Sequence, residues 1–175
     1  MSTTTIAIQQ IYIGLLGRAA DNAGLAYWET NIDSGALTLD QLRTNIVNSQ
    51  TEYTTGKGAL SRSDLVTSLY SDMFGRTPEA DGLTYWTTGA GSAVPADELV
   101  YALTNGALDN AEGDDLTTLA NRVEAAEYYS AGTSGQDVAA NATAAISGVD
   151  GTAATVTASK ATTDGLTTGV TTALT

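Results

Sequence analysis

Tyr12-x-x-Leu15-Leu16-Gly17-Arg18-x-x-Asp21-x-x-Gly24-Leu25-x-Tyr27-Trp28 decides how this chain is read, because it occurs twice. The second copy is Tyr70-x-x-Met73-Phe74-Gly75-Arg76-x-x-Glu79-x-x-Gly82-Leu83-x-Tyr85-Trp86. The copies align without a gap. The two tryptophans of the chain hold the same place in each. A repeat at fixed offset points to a duplicated supersecondary unit.

Apolar residues around each copy recur at helical spacing. Ile6, Ile13 and Leu16 share a stripe that Tyr12 and Leu15 widen, which predicts a helix over 6–17. Gly17 ends it as a left-handed stop. Asp21 or Asn22 caps a second helix carrying Leu25, Trp28 and Ile32. Thr38 with Gln41 forms a capping box for a third, whose apolar face is Leu39, Leu42, Ile46 and Val47. Residues 54–58 read as a flexible connector, and Ser61 with Asp64 as the next helix start. Leu65, Leu69, Met73 and Phe74 rebuild the first helix, stopped at Gly75. Leu83 and Trp86 rebuild the second. Pro95 suits the first turn of the third. A longer helix follows from about Leu116.

These patterns predict an all-α fold of duplicated three-helix units, helix-loop-helix repeats, with a longer closing helix. The duplicated domain spans 1–132, with repeat one at about 6–55 and repeat two at about 61–131. Beyond Gly132 large apolar residues thin out, so 133–175 reads as an Ala/Thr-rich helical or flexible tail or linker.

Composition narrows the function classes. The chain has 175 residues and a formal net charge of −13, with only seven basic residues. A nucleic-acid partner is disfavoured because too few cations are present to neutralise phosphates. Cysteine and histidine are both absent, which removes thiol and imidazole catalysis and most zinc or iron sites. The N-terminus lacks the basic and apolar regions of a Sec signal. No stretch is long and apolar enough to span a bilayer, so no membrane insertion is expected.

The repeated phrase admits two readings. In the structural one, the glycines stop helices or let them approach, the tryptophans anchor a core, and Arg18 and Arg76 hold loops through carbonyls, a carboxylate or an aromatic face. In the functional one, Arg18, Asp21, Tyr27, Trp28, Arg76, Tyr85 and Trp86 form a glycan-binding surface. Aromatic faces would stack on sugar CH groups, while charged groups bond hydroxyls. Asp109, Glu112, Asp114 and Asp115 cluster in one acidic stretch and are candidate calcium ligands. Glu79 and Asp81 make a smaller acidic group. Neither has EF-hand spacing, and a solvated acidic face is the competing explanation. The chemistry left for catalysis is a carboxylate pair, so a glycan hydrolase is the weakest reading. No enzyme activity is expected, and no cofactor beyond calcium.

The doubled phrase resembles the helical domain-of-unknown-function family numbered forty-two fourteen, whose signature is L-L-G-R-x-P-D-x-x-G-L-x-Y-W. Copy one has Ala20 where that family has proline, and copy two has Glu79 for its aspartate. The stretch from Leu119 to Tyr129 is similar to the closing helix of the family. Such domains sit at the N-termini of S-layer proteins and of surface proteins with calcium-binding repeats, which leave by type I secretion. The arrangement resembles the lipopolysaccharide-anchoring domain of Caulobacter-type S-layer proteins. The resemblance implies an extracellular or cell-surface location, reached without a cleaved N-terminal signal peptide. It implies a module that binds cell-surface polysaccharide, the lipopolysaccharide O-antigen, and self-associates. A self-assembling lattice or filament subunit without a glycan ligand is the alternative.

Overall fold

A computed structural model describes residues 2–109, 113–132 and 138–171. Among the described residues there are ten α-helices and two short 3-10 turns, and no strand. The first copy begins with α1 (Thr3–Leu16), α2 (Asn22–Asp33) and α3 (Leu39–Ser49), followed by a short α4 (Thr51–Thr55). The second has α5 (Arg62–Phe74), α6 (Ala80–Thr87) and α7 (Leu99–Asp109). Then come α8 (Asp115–Gly132), α9 (Ala139–Ser147) and α10 (Ala153–Thr171).

Local chemistry sets most boundaries. Gly17 and Gly75 adopt φ of 67° and 72°, and their N–H groups bond the Ile13 and Ser71 carbonyls. Asp21 caps α2 through the Gly24 N–H, and Ser61 caps α5 through the Asp64 N–H. Thr38 and Gln41 form the reciprocal capping box of α3. Glu79 occupies the cap position of α6, but its side chain makes no capping bond to the N–H groups of the helix's first turn. Its longer side chain is drawn to Arg76 instead. Pro95 does not open α7: a turn intervenes, and the helix begins at Leu99.

The core is built where α1, α5 and α8 pack on one another. Ile8, Ile13, Leu15, Leu69, Met73, Leu119 and Tyr129 are fully buried there. Gln9 is also fully buried, and its two ends are satisfied. It donates to Ser130 Oγ at 2.8 Å and accepts from the Ala20 N–H at 3.0 Å. Burial without those partners would be costly.

Two expectations change in physical detail. Residues 54–58 are not a free connector: α4 ends there, a 3-10 turn follows, and Lys57 reaches inward. Its ammonium bonds the Gly14 carbonyl and pairs with Asp72 at 2.6 Å. Burial, opposed by Asp72, leaves the Lys57 pKa below its ordinary value. Packing also continues past residue 132, where the sequence places a tail or linker. Helices α9 and α10 fold back on α8. Val149 and Val156 bury against Ala125, Ser159 donates to the Ala145 carbonyl, and Lys160 pairs with Glu124. Small residues make this possible, because they let helix backbones approach. Residues 172–175 lie outside the described set.

Candidate functional site

The two motif arginines occupy matching stations. Arg18 lies over the Tyr12 ring at 5.4 Å, and Arg76 over the Tyr70 ring at 5.2 Å. Each donates from Nη1 to the carbonyl of the next residue, Ala19 or Thr77. Each also grips a distant carboxylate with two nitrogens: Glu52 of α4 for Arg18, Asp115 of α8 for Arg76. The residue three positions on, Asp21 or Glu79, completes the charge cluster. Such forked pairs fix direction as well as charge. The Asp115 bonds raise the Arg76 pKa above its ordinary value. Burial opposes the charge of Arg18, and the Glu52 bonds outweigh it.

The arginines thus do what the structural reading requires. The tryptophans follow: Trp28 is 9% exposed and Trp86 8%. The Trp86 indole N–H donates to the Tyr70 hydroxyl at 3.3 Å. Neither indole face is open for a sugar to stack upon. Their neighbours differ. Tyr27 and Tyr85 are 56% and 48% exposed, each edge-on to its tryptophan.

The expected residues of copy two converge on a groove of about 680 Å³. Tyr85, the Trp86 edge, Arg76, Glu79, Asp81 and Asp115 line it, with α7 opposite through Leu103 and Asn105. Its volume is in the range of ligand sites. In copy one, Arg18 is more enclosed than Arg76, with 11% of its side chain exposed against 36%. There α4 supplies Glu52 and buries Tyr53. Asp21 is spent on capping and on Arg18.

One residue of the acidic stretch already has a partner of its own. Asp115 is committed to Arg76 through both oxygens. Glu112 and the side chain of Asp109 lie outside the described residues, as does any grouping that would include them. Among the described residues no three acidic side chains are placed to hold a metal ion. Glu79 is held below its ordinary pKa by its own backbone N–H and by Arg76.

Sequence reasoning missed Asp115 and Glu52 as arginine partners, and also Arg122. Arg122 is buried in α8, donates to the Ser71 and Val149 carbonyls, and thereby joins α5 to the loop after α9. Burial lowers its pKa from the ordinary value. Arg62 plays a similar part at the end of α6, bonding the Trp86, Gly91 and Val94 carbonyls. The signal for both was weak: a lone cation at the start or in the middle of a helix pattern, with partners far away in sequence.

Residues 3–55 match the family described as Domain of unknown function (DUF4214). The DUF4214 match takes in α1 to α4, the whole of the first copy. No curated protein and no solved structure matches the chain.

Proposed function

We propose that this chain is a non-catalytic extracellular surface module that binds cell-surface polysaccharide through the groove of its second copy. The observation that carries the reading is the convergence of a half-exposed Tyr85, the Arg76–Asp115 pair and Asp81 on one groove. An aromatic face beside fixed charged groups suits sugar CH and hydroxyl groups. All seven basic side chains are engaged within the chain: Arg18, Arg43, Lys57, Arg76 and Lys160 with carboxylates, Arg62 and Arg122 with carbonyls. That favours the uncharged repeat units of an O-antigen over phosphate-bearing inner sugars. Glu79 is kept ionised and Asp115 is tied to Arg76. Neither suits the protonated acid that glycoside cleavage requires.

Co-sedimentation with purified lipopolysaccharide, with and without added calcium, tests the reading. Wild-type chain should pellet with the polysaccharide, and Tyr85→Ala should weaken this at least tenfold. Failure of the wild type to pellet in either condition would sink the proposal. A requirement for calcium would implicate the acidic stretch around Asp114.

The alternative, a self-assembling subunit, is favoured by one feature. Tyr101 and Leu108 are both well exposed, two turns apart on α7. Concentration-dependent growth in sedimentation velocity without glycan would support it.

A further inference from the structure

We infer that Gly106 is a contact position of the second-copy groove, where the bare backbone of α7 lies against a sugar ring held on Tyr85. The inference rests on the polysaccharide reading above and names the other wall of that same site. Gly106 sits in the last turn of α7. Glycine weakens a helix relative to alanine, so a helical glycine calls for a reason. Conformation does not supply one. Among the described residues positive φ is confined to Gly17, Gly35 and Gly75, so alanine could take the backbone of Gly106 unchanged. Packing does not supply one either, because a Cβ built on Gly106 meets no atom within 4 Å. Gly14 and Gly24 are the contrast: a Cβ there would stand 2.3 Å from Val100 and 2.9 Å from Asp21.

What remains is the groove. Gly106 lines it beside Asn105 of the same helix, and Tyr85 of α6 lines it as well. Close approach of a ligand to the backbone is one of the uses glycine serves. The half-exposed Tyr85 ring offers a flat apolar face to the CH groups of a pyranose. Without a methyl group at Gly106, the ring can also rest on the α7 main chain. The Asn105 side chain makes no hydrogen bond among the described residues. Its amide carries both donors and an acceptor for hydroxyls on the rim of the ring. The ligand class that fits is an unbranched pyranose chain, since a branch directed at α7 would fill the space that the missing methyl opens.

The test uses the full chain, co-sedimentation with purified lipopolysaccharide, and a thermal melt of every variant. Gly106→Ala should raise Tm by roughly 2–4 °C, because alanine favours the helix and nothing obstructs its methyl group. The same variant should weaken pelleting about tenfold, the worth of one methyl group in a binding site. Gly106→Leu should abolish pelleting with Tm no lower than that of the wild type. Better folding with poorer binding is a combination that a purely structural glycine does not produce. If both Gly106 variants pellet like the wild type while Tyr85→Ala does not, the inference is overturned and the groove reading stands. If the wild type fails to pellet, or Tyr85→Ala pellets equally well, both are overturned. A lower Tm in Gly106→Ala would give the glycine a packing role and overturn the inference as well.

Discussion

The Arg76 guanidinium meets the Asp115 carboxylate through two parallel hydrogen bonds, Nε to Oδ1 at 2.7 Å and Nη2 to Oδ2 at 2.6 Å. Arg18 meets Glu52 in the same way. In each copy the arginine that follows the first helix seizes the element that follows the third, so the pair closes the repeat on itself. Asp115→Asn and Glu52→Gln should each lower stability. Water screens both pairs, since Arg76 and Glu52 are 36% and 40% exposed along their side chains. The cost should therefore be about 1 kcal/mol, a fall of roughly 2–4 °C in Tm. Thermal melts followed by circular dichroism check this, and an unchanged Tm in both variants would remove the clamp as a stabilising feature.

Tyr12 makes the chain sensitive to alkali. Burial first, then the nearby Asp21 charge, push its pKa from 10.0 to about 12. The folded state resists ionisation more than the unfolded chain does. The stabilisation is full below pH 10 and is lost as pH climbs through about 12. The rise corresponds to about 2–3 kcal/mol. Tyr12→Phe should therefore flatten the fall in denaturant midpoint between these pH values. The same steep fall in the variant would show that another group governs alkaline unfolding.

Gly14 is a packing requirement rather than a turn. It lies inside α1, and a Cβ placed there would stand 2.3 Å from Val100 Cγ2 on α7. Gly14→Ala should cost about 1–3 kcal/mol through overpacking, although alanine is the better helix former. Val100→Ala in the same chain should restore part of the loss. If the two substitutions simply add in chemical denaturation, the close approach is not what glycine serves.

Much of this architecture was legible because its causes are local. The stops at Gly17 and Gly75, the caps at Asp21, Thr38 and Ser61, and the apolar stripes of α1 and α5 all act within a few residues. What stayed hidden depends on partners far along the chain. Glu52 lies 34 residues from Arg18, and Asp115 lies 39 from Arg76. The candidate site divides on the same line. Tyr85 and Arg76 reach a groove, whereas Trp28 and Trp86 turn inward, Trp86 with its indole N–H donating to the Tyr70 hydroxyl. Alternation of exposed tyrosine and buried tryptophan cannot be read from adjacent aromatic letters without the helix that orients them.

The packing of α9 and α10 on α8 predicts a cost for shortening the chain. Ile146, Val149 and Val156 are almost fully buried, and each contributes about 1.5–3 kcal/mol before the entropy of ordering is subtracted. Arg122 also loses the Val149 carbonyl. A chain ending at Gly132 should melt roughly 5–10 °C lower. Amide exchange in α8 should accelerate around Arg122. An equal Tm and unchanged exchange would mean that the fold-back adds nothing to the duplicated unit.

Trp86 offers an internal reporter for polysaccharide, because its edge lines the groove while Trp28 belongs to the closed copy. Both indoles are buried, so both should emit to the blue of free tryptophan and resist iodide quenching. In Trp28→Phe the remaining Trp86 emission should change saturably as polysaccharide is added. In Trp86→Phe the Trp28 emission should stay constant over the same range. The pair of variants separates local contact from a general change in the fold, since a global rearrangement would move both signals. Equal responses from the two tryptophans would place the ligand away from the Tyr85 groove, and no response in Trp28→Phe despite co-sedimentation would do the same.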